Sequence, residues 1–141
     1  MRITLIAIVF FGALFTAGCK SSGSDTAIAT DMCGCFNMLK DSLPAEAISV
    51  FQKASVAGNP QETYEKEMRN LKPEIALKVA QALMSTTKKG SPVNDCLKKM
   101  DEKYKTNTND QQEMGKRMIT ALKDKKDCEI MLALMRMNVK K

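Results

Sequence analysis

Four cysteines carry the sulfur chemistry available to the body of this chain: Cys33 and Cys35, separated only by Gly34, and the later Cys96 and Cys128. Thiolates act as nucleophiles, redox groups and soft metal ligands, whereas disulfides act as structural staples in oxidising compartments. Residues two apart on a helix point roughly 200° from one another. Cys33 and Cys35 therefore cannot both reach one partner, but each can reach a different neighbouring helix. A bridge between them would close a small strained ring. Two long-range bridges are expected, either Cys33 with Cys96 and Cys35 with Cys128 or the crossed alternative. Each would close a loop of about 60 to 95 residues, for which the chain-entropy model gives about 4 kcal/mol as an upper expectation.

A second chemistry competes on the same residues. Soft sulfur ligands select copper(I), and Met114/Met118 and Met131/Met135 are i, i+4 pairs, each on one helical face. Methionine at helical spacing is, however, common as flexible core filler. A thiol-redox role for Cys33 and Cys35 would need an exposed thiol of lowered pKa, and no thioredoxin-like βαβ pattern surrounds them. The chain has no histidine, which excludes Ser-His and Cys-His nucleophiles and His-bearing zinc sites. There is no P-loop and no dinucleotide fingerprint. Glu65/Glu67 and Asp101/Glu102 read as solvated helix surface. The expectation is a protein that is not an enzyme, with no cofactor and no resident metal.

The fifth cysteine, Cys19, follows a different pattern. An apolar run from Ile3 to Phe15, preceded by Arg2, leads into Thr16-Ala17-Gly18-Cys19 and then the small polar stretch 20–26, KSSGSDT. The run is shorter than the roughly 20 residues of a membrane-spanning helix and fits the apolar core of a signal peptide. The small pair before a cysteine resembles the lipobox of bacterial lipoproteins, in which that thiol is acylated and becomes the new N-terminus. Thr16 departs from the usual branched aliphatic, and this relaxed box is similar to those of spirochaetes. The resemblance covers about the first 20 residues. It implies a signal peptide at 1–18 that is removed, a lipidated Cys19 and flexible tether at 19–26, and attachment in the cell envelope, with Lys20 favouring the outer membrane. Reserving Cys19 for lipid leaves an even set of four cysteines, which suits the two-bridge reading.

The remaining stretch, 27–141, has room for one domain. Strong helix formers dominate it, and strand-length runs of β-branched or aromatic residues are missing, so the class is all-α. With no Trp and eleven Met in the chain, the core must rely on aliphatic and methionine side chains. Charge is uneven: residues 20–87 hold seven basic and eight acidic side chains, residues 88–141 fourteen and eight. In an exported protein that excess does not point to nucleic acid. It suits an anionic envelope component or protein partner, or else a solvated lysine-rich surface.

The elements that would position the cysteines follow from helical periodicity. Ile28, Met32, Cys35, Phe36 and Leu39 share a face over 27–40. Pro44 opens a second helix, with Ile48, Phe51 and Ala54 as its stripe, and 58–60 (GNP) ends it. Tyr64, Met68, Leu71, Ile75, Val79 and Leu83 form the next stripe. Pro73 makes this one kinked helix or two. Ser91 caps a helix starting at Pro92, on which Val93, Cys96, Met100 and Tyr104 align. After the polar loop 106–110 come Met114, Met118 and Leu122, then Cys128, Leu132 and Met135, with the charged knot 124–127 as a potential break. The expected architecture is a small irregular bundle of four to six helices, stapled by two disulfides. Its expected role is a non-enzymatic binding or structural one on a lipid-anchored envelope lipoprotein, with copper(I) or thiol-redox function through Cys33/Cys35 and Met residues as the alternative.

Overall fold

A computed structural model describes residues 24–104 and 111–139. The signal peptide, Cys19 and most of the tether lie outside the described residues, as does the loop at 106–110. Among the described residues the protein is all-α: α1 (Asp25–Asn37), α2 (Ala45–Val56), α3 (Pro60–Arg69), α4 (Pro73–Ser85), α5 (Pro92–Tyr104), α6 (Gln111–Leu122) and α7 (Glu129–Asn138). A single 3-10 turn, Lys40–Ser42, links α1 to α2. No helix among the described residues is long and apolar enough to cross a membrane.

Among the described residues seven α-helices form rather than four to six, because both optional breaks are taken. Pro73 does not kink a continuous helix; it occupies the first turn of α4, where its missing N–H costs nothing. The charged knot also divides α6 from α7, and Asp127 there takes a left-handed backbone with φ 71°. At the other end of the chain, α1 starts inside the stretch assigned to the tether. Ser24 accepts a hydrogen bond from the Ala27 backbone N–H at 3.2 Å, and Asp25 places negative charge in the first turn, so the helix nucleates two residues before Ala27. Ser91 performs the expected cap, accepting from the Asn94 N–H at 3.2 Å.

The helices pack in two layers that share α7. On one side α1 lies against α5 and α6; on the other α2 lies against α3, and α7 touches both groups. The apolar stripes meet in a single core whose completely covered side chains include Phe51, Leu39, Met118, Leu122, Ile130 and Met131. Phe51 stacks at a tilt on Tyr64, ring centres 5.6 Å apart, and burial pushes the Tyr64 phenol up to about 12. Helix α4 is the outlier, packing chiefly on α2.

Candidate functional site

The cysteines organise the first helix. Cys33 bridges to Cys128, which sits just before α7, and Cys35 bridges to Cys96 on α5, with Cα separations of 5.3 and 5.6 Å. This is the crossed member of the two pairings that helical geometry allows. Cys33, Cys35 and Cys128 are buried and Cys96 is half-buried. Both bridges leave α1 in different directions, as residues two apart on a helix must. All four methionines of the two spaced pairs, Met114, Met118, Met131 and Met135, lie in the core.

Polar contacts join the same helices near each bridge. Beside Cys35–Cys96, the Asp31 carboxylate accepts from Lys103 Nζ at 2.6 Å and from the Tyr104 hydroxyl at 2.5 Å. The Lys103 hydrogen bond, then that of Tyr104, holds Asp31 below the usual carboxylate range, and Asp31 in turn raises Lys103. Beside Cys33–Cys128, Lys40 Nζ pairs with Glu129 at 2.9 Å and donates to the Asp127 carbonyl at 3.2 Å. Burial pushes Glu129 up, but the Lys40 hydrogen bond, with help from its own backbone and Gln52, leaves it below its ordinary value. Farther along α7, Arg136 reaches the end of α2. Its guanidinium donates to the carbonyls of Ser55 and, at 2.9 Å, Ala57, where a helix leaves acceptors unfilled and a cation is favoured.

The chain matches no protein-family model, no curated protein and no solved structure. Its function must therefore be argued from this geometry.

Two shallow surface grooves flank the bridges. One, about 420 Å³, runs between α1 and α5 over the Cys35–Cys96 bridge, with Met38 and Met100 beside it and Lys99 and Lys103 at its rim. Gly34 lines it beside open space, where a Cβ would meet nothing within 4 Å. The other, about 330 Å³, lies over Val56 and Leu132 near the Cys33–Cys128 end and is rimmed by Lys123, Lys125 and Lys126. Lysines at both rims belong to the basic C-terminal half. Among the described residues no group of three or more Cys, Asp or Glu side chains is arranged to hold a metal ion.

The acidic pairs are dispersed. Glu67 is paired with Lys53 at 2.7 Å, and Glu65 accepts from Gln61 at 2.6 Å. Asp101 is raised above its ordinary value, by burial first and by neighbouring Glu102 second. Sequence reasoning missed Asp31, Lys40, Glu129 and Arg136. Their partners lie 72 to 89 positions away in the chain for the two acids and Lys40, and about 80 for Arg136. No local pattern marks such pairs; only the charge of each residue was visible.

Proposed function

We propose that the chain is a lipid-anchored envelope lipoprotein, attached through Cys19 in the outer membrane, whose helical domain has a non-enzymatic binding or structural role. The observation that carries this reading is the placement of both bridges on α1. That helix is the first element after the proposed anchor, so any load on the tether enters a helix covalently joined to α5 and to the start of α7. Such staples persist in oxidising compartments and are rare in the cytosol, which favours an exported chain.

The lie of α1 also separates the two ends of the domain. Asp25, at its start, pairs with Arg117 at 2.9 Å, while Lys40, just past its end, pairs with Glu129. The lysine-rimmed groove beside Glu129 is therefore about 20 Å along the helix from the tethered end. That groove, remote from the tethered end, is the face we assign to an anionic envelope component or protein partner. Copper(I) or thiol-redox chemistry would first require reduction of both bridges, and titration of free thiols in the exported protein decides against it when none is found.

Detergent phase partitioning tests the anchor. The unsubstituted protein is expected in the detergent phase, labelled by a radioactive fatty acid, and Cys19→Ser in the aqueous phase without label. A Cys19→Ser protein that still enters the detergent phase would sink the proposal.

A further inference from the structure

Helix α4 is finished on one side only. Ile75, Val79, Ala82 and Leu83 turn toward the rest of the domain, and Val79 is completely buried. At about 100° per residue, Leu77 and Met84 lie on nearly the same line of the helix, opposite Val79. They are 58% and 56% exposed, and exposed Ala80 and Gln81 lie between them. Glu74 stands one turn before Leu77; Lys88 lies three residues past the end of α4, with its backbone N–H on the Met84 carbonyl at 3.2 Å, and both are exposed. Neither takes part in an ion pair among the described residues.

We propose that this stripe is a homodimer contact: α4 packs antiparallel on α4 of a second copy about a two-fold axis between Ala80 and Gln81. The stripe is self-complementary about that point. Turned end for end, Leu77 meets Met84 of the second copy, Ala80 meets Gln81, and Glu74 comes within one position of Lys88. The small Ala80 lets the two helices approach at the axis, where knobs from Leu77 and Met84 close over it on either side. An isologous contact repeats every interaction, so one register yields two apolar contacts and two ion pairs. The charges also choose the direction. A parallel pair in register would set Glu74 against Glu74 and Lys88 against Lys88, which is repulsive at both ends.

Two helices of this length bury less than the roughly 1,200 Å² of a standard stable interface. The contact is therefore weak in free solution and is strengthened where molecules share a surface, because confinement raises effective concentration. It does not depend on the anchor: the dimer is expected whether or not Cys19 carries lipid.

Sedimentation equilibrium and thiol cross-linking of the full-length exported protein, in detergent with at most one protein per micelle, test this. Gln81→Cys, beside the axis, is expected to cross-link with a short bis-maleimide, and Lys98→Cys on exposed α5 to remain at the background of the unsubstituted protein. Glu74→Lys and Lys88→Glu should each weaken dimerisation about tenfold, since each turns two attractive pairs repulsive. The double swap, Glu74→Lys with Lys88→Glu, should return to within about twofold of the parent. These positions are on the surface, and circular dichroism checks that each variant keeps its helices. A monomer at all concentrations up to about 0.5 mM, equal cross-linking at Lys98→Cys, or a double swap no better than either single one would overturn the proposal.

Discussion

Removing either disulfide should cost nearly the same stability, although the two span very different lengths of chain. Cys33–Cys128 spans 95 positions and Cys35–Cys96 spans 61. Taken one at a time on an otherwise open chain, the entropy model assigns them about 4.7 and about 4.3 kcal/mol. In the native protein neither bridge acts on an open chain. With Cys35–Cys96 in place, the loop closed by Cys33–Cys128 runs through it, from Cys33 to Cys35 and from Cys96 to Cys128, about 34 residues; with Cys33–Cys128 in place, Cys35–Cys96 divides a closed ring into arms of 61 and about 34 residues, equivalent to one loop of about 22. The same relation then gives about 3.8 kcal/mol for Cys33–Cys128 and about 3.4 kcal/mol for Cys35–Cys96, and the total is independent of the order in which they form. Cys33→Ala/Cys128→Ala and Cys35→Ala/Cys96→Ala are the right perturbations, because each removes a whole bridge and leaves no lone buried thiol. Urea titrations of the oxidised proteins read the loss. Both variants are expected to fall by about 3 to 4 kcal/mol relative to the parent, within about 0.5 kcal/mol of each other, a large share of the 5–15 kcal/mol typical of a domain. A loss below about 1 kcal/mol for either variant, or one loss exceeding the other by more than about 2 kcal/mol, would refute the reasoning.

Other outcomes follow from single contacts. Arg136→Ala should lower stability by about 1–3 kcal/mol in the same urea assay by leaving the Ser55 and Ala57 carbonyls unfilled; Arg136→Lys should restore less than half, because an ammonium lacks the rigid planar fork whose separate N–H groups reach the two carbonyls. Glu129 has a folded-state pKa below its unfolded one, so its contribution is complete at neutral pH and is lost as pH falls through the carboxylate range. Thermal midpoints should accordingly hold from pH 7 to about 5 and drop below about 4, and Glu129→Gln should be less stable at pH 7 with a shallower acid limb. A Cβ at Gly115 would lie 2.7 Å from the Val139 side chain. Gly115→Ala alone should therefore destabilise, while the same change in a Val139→Ala background should stabilise by about 0.5–1 kcal/mol through helix propensity, as read by thermal unfolding of all four combinations.

Most of the fold could be read from periodicity. Tyr64, Met68, Leu71, Ile75, Val79 and Leu83 form one stripe in the sequence, and each packs in or against the core. What periodicity cannot state is how a break resolves. Pro73 suits both a kink and a helix start, and the choice depends on where α3 and α4 find partners. The left-handed Asp127 has no glycine to announce it. Cysteine spacing likewise gave two bridges to two different helices but left the pairing open, because which neighbour lies on which side of α1 is decided by tertiary packing. The Asp31–Lys103–Tyr104 and Lys40–Glu129 contacts were invisible for the same reason. Leu77 and Met84 fall off that stripe, and their exposure emerges only from the fold.

The central claim is a lipidated Cys19 carrying a domain closed by two disulfides. Intact mass of the membrane-extracted protein, alkylated without prior reduction, tests both halves at once. The account predicts a chain beginning at Cys19 with added acyl mass and no alkyl group on Cys33, Cys35, Cys96 or Cys128. A chain retaining residues 1–18, an unlipidated Cys19, or alkylation of any of the four would contradict it.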